Sequence, residues 1–99
     1  MFISTTLATK TMVAEICGLD IKKVCVAEQA PHARMIDIRM NEDFDVSTLK
    51  FLGEQIIASL LPEDRRLNSW ILFFYDTGRK LVYVVRLRDG VIKFEHFEF

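Results

Sequence analysis

The sequence predicts an α+β domain: an antiparallel sheet of about five strands with two helices, in the order α-β-β-α-β-β-β. Three observations predict it. Asp89-Gly90 stands between two strand-forming runs, Lys80–Arg88 and Val91–Phe99, and reads as a two-residue hairpin, since a type I′ turn needs positive φ at both central positions. Ile36, Ile38 and Met40 alternate with Met35, Asp37 and Arg39, the period of a half-buried strand. Leu49, Leu52, Ile56 and Leu60 share one stripe of a helix. With 99 residues, the chain suffices for one core and is too short for two, so residues 1–99 form a single domain. Its composition, 51% apolar and 27% charged, is that of a globular chain rather than a disordered one.

Taken in order, Thr5 to Cys17 favours a helix with Ala8, Met12, Val13 and Ile16 near one stripe, and Gly18 is placed to stop it. Ile21 to Ala30 fits either a strand or a helix. Pairing with the strand at Arg34–Met40 across a Pro31-His32 loop makes a hairpin the preferred reading. The acidic run Asn41–Asp45 leads into the second helix, where Asp45 or Ser47 can cap free N–H groups, and Pro62 ends it. Gly53 sits inside that helical pattern without a turn to explain it. Trp70 to Tyr75 follows as a strand, and Asp76–Arg79 turns the chain into Lys80.

The last two hairpins set the faces. The Asp89-Gly90 turn puts Tyr83 opposite His96, Val85 opposite Phe94 and Leu87 opposite Ile92. If Asp76–Arg79 is a four-residue loop, Phe74 faces Leu81. Trp70, Leu72, Phe74, Leu81, Tyr83, Val85 and Leu87 then line a core face beneath the second helix. The opposite face carries Ile71, Phe73, Val82, Val84, Phe97 and Phe99, which is more apolar than a solvated sheet surface and needs a cover. The first helix packs beside the second or crosses that face.

Function classes are bounded mainly by what is missing. The net charge of −1 argues against a general polyanion binder, though not against a local basic patch. Arg65-Arg66 reads as a solvated loop after the helix. No apolar run approaches the ~20 residues of a membrane span, and Met1–Thr6 lacks a secretion signal's basic and long apolar regions, which makes the cytoplasm of a bacterial cell the expected compartment. Cys17 and Cys25 match no metal or redox spacing and read as buried reduced thiols. The Glu42, Asp43, Asp45 cluster lacks the spacing and glycine of a calcium loop. No phosphate loop, nucleophile elbow or carboxylate pair is present, so no cofactor, metal site or catalytic residue is assigned.

Thr11–Val24 resembles the helix-turn-helix pattern of DNA-binding repressors, with Ala14 at the tight contact, Gly18 at the turn and Leu19 and Val24 facing inward. That resemblance implies a DNA-binding regulator. Only Lys22, Lys23, Glu28 and Gln29 are then available to read bases, which favours helix–turn–strand instead. The preferred reading is a non-catalytic interaction or ligand-binding domain. It forms a homodimer through the second sheet face or the edge of the C-terminal strand, leaving nucleic acid and membrane aside. The alternative is a small-ligand sensor or enzyme with a sheet–helix pocket, for which Tyr83, His96 and Trp70 are the candidate binding residues; His32, in a loop, reads as solvated.

Overall fold

The computed structural model describes residues 5–29, 35–59 and 69–97. Helix α1 (Thr5–Cys17) stops where Gly18 turns left-handed (φ 66°) and the Leu19 N–H reaches the Ala14 carbonyl at 2.9 Å. This Schellman arrangement satisfies carbonyls that the helix end leaves open. No second helix follows. Asp20 caps a single 3-10 turn, Ile21–Lys23, and the chain enters strand β1 (Val24–Glu28) directly. The stretch resembling a repressor motif is therefore helix, turn and strand, and it holds no recognition helix.

β1 pairs antiparallel with β2 (Met35–Met40), as the hairpin reading expects; the Pro31-His32 connection lies outside the described residues. Helix α2 (Val46–Ser59) begins at Asp45, whose Oδ1 accepts from the Thr48 N–H at 2.9 Å. Leu60, Pro62 and Arg65-Arg66 also lie outside the described residues. Because α2 carries the chain back along the sheet, β3 (Trp70–Tyr75) runs parallel to β2. The sheet is thus mixed rather than antiparallel throughout: a helical crossover can return the chain to the same end, and a hairpin cannot. β4 (Leu81–Arg88) and β5 (Val91–His96) complete the order β1-β2-β3-β4-β5, both pairing antiparallel.

The β4–β5 register agrees with the Asp89-Gly90 reading pair for pair, from Arg88 opposite Val91 to Tyr83 opposite His96. The β3–β4 register differs from expectation. Asp76 N–H donates to the Lys80 carbonyl, so the loop has three residues and ends on Arg79, which is left-handed (φ 64°). A bulge then adds one residue to β4, leaving Tyr75 opposite Leu81 and Phe74 opposite Tyr83. The two one-residue shifts add up, so Tyr83, Val85 and Leu87 keep their expected face while their neighbours change. Leu81 and Val82 exchange places: Leu81 pairs with Tyr75 on the outer face, and Val82 packs against the core.

Both helices lie on one face. Val13, Leu49, Leu52, Ile56, Ile57 and the inner residues of β1 to β4 form one buried cluster. α1 covers β1 and abuts α2, and α2 lies over β3 and β4. Of the expected α1 stripe, Val13 is buried and Met12 half-buried against the core while Ala8 and Ile16 are exposed, and Thr9 and Ala14 are buried in their place. Gly53 has its explanation here: a Cβ on it would stand 2.5 Å from Val85 Cγ2, so its bare backbone sets how closely α2 approaches β4.

Candidate functional site

β5 is an edge strand at the margin of the helical layer, and α2 meets it through the Lys50 side chain. Among the described residues, its neighbour is β4 alone. On the helix side Ile92 is half-buried and Phe94 remains 36% exposed, with Lys50 Nζ 5.1 Å from the centre of its ring. On the outer side stand Val91, 55% exposed, then Lys93 and Glu95, and Phe97, just past the strand, is half-buried. Glu95 makes a solvent-exposed ion pair with Arg86 across the ladder at 3.8 Å. The two-residue turn fixes which backbone groups point where. Arg88 and Val91 form the hydrogen-bonded pair beside the turn, and such pairs alternate along an antiparallel ladder, as the Phe97 N–H to Val82 carbonyl bond of 2.9 Å confirms. Ile92 and Phe94 therefore direct their N–H and C=O away from β4. An edge of this kind is a template for a further strand.

Of the residues named for a pocket, Tyr83 and His96 are cross-strand neighbours with ring centres 6.4 Å apart. Tyr83 is closed in, also meeting the rings of Phe74 and Phe94, and its phenol is raised above its ordinary value by burial and by the Glu54 carboxylate. His96 instead lines a small cleft of ≈ 220 Å³ beside Met40, Phe44 and Val82, which Tyr83 does not reach. Trp70 is buried opposite Leu87, four residues along β3 from Phe74 and so roughly 13 Å from the Tyr83 row. The three do not converge on one cavity.

Of the residues named for an interface, Ile71 and Phe73 are half-buried on the outer face, and neither helix crosses it among the described residues. Val84 is buried on that face between Phe73 and Glu95. Val82 does not belong to the strip, because the bulge turns it inward. Phe99 lies outside the described residues.

The sequence reading missed a polar cluster at the opposite end of the outer face. Asp37 accepts from Gln29 Nε2 at 2.8 Å and from the Tyr75 hydroxyl at 3.3 Å, and Arg39 Nη2 lies 3.8 Å from Cys25 Sγ. Burial and the Asp37 carboxylate hold the Tyr75 phenol above its ordinary value. Cys25 is exposed there rather than buried, because alternation along β1 puts it opposite Val24. Cys17 is half-buried, and burial together with Glu42 raises its thiol. Among the described residues no three His, Cys, Asp or Glu side chains gather as a metal site. No helix there is long and apolar enough to cross a membrane. Comparison with known proteins returns nothing: no family model, no curated protein and no solved structure matches the chain.

Proposed function

We propose that this chain is a non-catalytic interaction domain that associates with a second copy of itself through the edge of β5. The observation that carries this reading is the self-complementarity of that edge. Two copies joined antiparallel about a twofold axis normal to the sheet keep their helices on one side, so residues of like face meet. Three registers satisfy that condition near the middle of the strand. Centring on Lys93 opposes two lysines, and centring on Glu95 opposes two glutamates; like charges directly across a ladder repel. Centring on Phe94 places each Lys93 opposite a Glu95 and stacks the two Phe94 rings on the helix side. Lys93 and Glu95 then form a pair whose backbones do not bond each other, the arrangement in which side chains stand closest. The half-exposed Phe94, over which α2 sets only Lys50, gains further cover.

The test is a charge exchange read by sedimentation equilibrium. The unmodified protein is expected to be dimeric. Lys93→Glu sets two glutamates against each other at both crossings, and Glu95→Lys sets two lysines, so each variant alone is monomeric. Mixed in equal amounts, the two form a heterodimer, because every crossing then joins opposite charges. A monomeric unmodified protein, or variants that dimerise as well alone as when mixed, would refute the β5 register.

A further inference from the structure

A shallow groove of ≈ 520 Å³ follows the β1 edge of the sheet, opposite β5, reaching from Cys25, Ala27 and Tyr75 on the outer face round to Lys10 of α1 on the helix side. Its floor is low because β1 presents small side chains, Cys25 and Ala27, where β3 presents Tyr75 and Phe73 in the same rows. Four cations stand around it from four separate elements: Lys10 on α1, Lys22 on the 3-10 turn, Arg39 on β2 and Arg79 on the β3–β4 turn. None of the four makes an ion pair among the described residues; the pairs there are Arg86–Glu95 and Arg88–Asp89. The groove's one carboxylate, Asp37, is already engaged by Gln29 and Tyr75. An excess of positive charge in a chain of net charge −1 is thus gathered at one depression.

Arg79 supplies an independent observation. Its left-handed backbone is a conformation that strains an L-residue and that glycine adopts freely. Gly78 stands one position earlier and does not take it. The turn itself is held in place: Thr77 N–H donates to Asp43 at 3.0 Å, Lys80 N–H to Asp76 Oδ1 at 2.8 Å, and Arg79 N–H to the Asp76 carbonyl at 3.0 Å. Strain retained at a charged residue on the rim of a groove is the pattern of a site where side-chain chemistry outweighs local stability.

We propose that this groove binds a small organic anion, a phosphate ester or a polycarboxylate, with its anionic oxygens on Arg39, Arg79 and Lys22. The body of the ligand lies over Cys25 and Ala27 against Tyr75. The volume falls within the range of small-molecule sites and well exceeds what a bare phosphate fills. Arginine at two of the positions suits oxygens presented in pairs, which a guanidinium meets with two parallel hydrogen bonds. The site does not depend on the β5 edge, which lies on the other side of the sheet and stays free for a second copy.

Titration calorimetry at low ionic strength with adenosine monophosphate, citrate and inorganic phosphate tests this, with alkylation of Cys25 by iodoacetamide as a reporter inside the groove. Binding of adenosine monophosphate or citrate, tighter than inorganic phosphate and slowing alkylation of Cys25, is expected; which of the two binds identifies the phosphate or the carboxylate source. Arg39→Gln and Lys22→Gln each weaken binding roughly tenfold or more, as loss of a charge-assisted contact should. Arg79→Gly weakens binding while raising the thermal midpoint. No binding of any probe at about 10 mM would overturn the proposal, as would binding that leaves Cys25 alkylation and the Arg39→Gln affinity unchanged.

Discussion

At the scale of single residues, Tyr83 shows how environment sets a side chain's behaviour. Its ring is buried among Phe74, Phe94 and His96, and its phenol is held above the ordinary value first by that burial and then by Glu54. The sign of the consequence follows directly. A group whose folded pKa is raised contributes its stability in full below the unfolded value, near 10 for tyrosine, and loses it as pH rises through the folded one. The protein is therefore expected to lose stability from about pH 10 upward, and Tyr83→Phe should flatten that alkaline slope; urea midpoints of both proteins across pH 8–11 check it. An identical slope in the variant would place the dependence elsewhere. Asp45 has the opposite sign. Its bonds from Thr48 lower its carboxyl, so the start of α2 weakens only in acid, as pH falls through that lowered value. The position of Tyr83 was legible in the sequence because the turn at Asp89-Gly90 fixes its register. The exposure of Cys25 was not, since Val24 and Val26 alternate around it as in a strand while Ile21, Val24 and Cys25 also share a helical face.

At the scale of elements, the approach of α2 to β4 rests on Gly53. Alanine there would normally favour a helix by about 1 kcal/mol. Here its Cβ meets Val85 Cγ2 at 2.5 Å and Val85 Cβ at 3.2 Å, and Val85 is itself fully buried in the core, so helix or side chain must shift. Gly53→Ala is expected to destabilise the fold by about 1–3 kcal/mol, as overpacking does, and adding Val85→Ala should cost less than the two single losses together. Denaturant unfolding of the three variants decides, and a more stable Gly53→Ala would show that the helix can shift. The sequence showed an unexplained glycine in a helix; only the packing shows what it touches. The β3–β4 hairpin teaches a related lesson. Faces were readable because alternation repeats along eight residues of β4, whereas the register was not: a left-handed Arg79 and a bulge carry no composition signal, and together they move Phe74 from Leu81 to Tyr83. The groove at Arg39, Arg79 and Lys22 was hidden for the same reason, since its residues come from elements far apart in the chain.

At the scale of the whole molecule, two helices on one face of a five-stranded sheet leave two unequal surfaces. The α-β-β-α-β-β-β order was readable from periodicity and turns. The parallel pairing of β2 with β3 was not, because the strands' own sequences say nothing of which neighbour α2 delivers them to. α2 lies over β3 and β4 and covers β5 only in part, leaving Phe94 36% exposed beside Lys50, and this makes the β5 edge the place where a second copy is expected. The most direct measurement is amide hydrogen exchange along β5 at several protein concentrations. Lys93 and Glu95 turn their N–H groups toward β4 and are protected in any state of association, while the Phe94 N–H points outward. Protection of Phe94 that rises with concentration to match its neighbours is the expected result. A Phe94 amide that exchanges at the unprotected rate at every concentration would contradict pairing through β5.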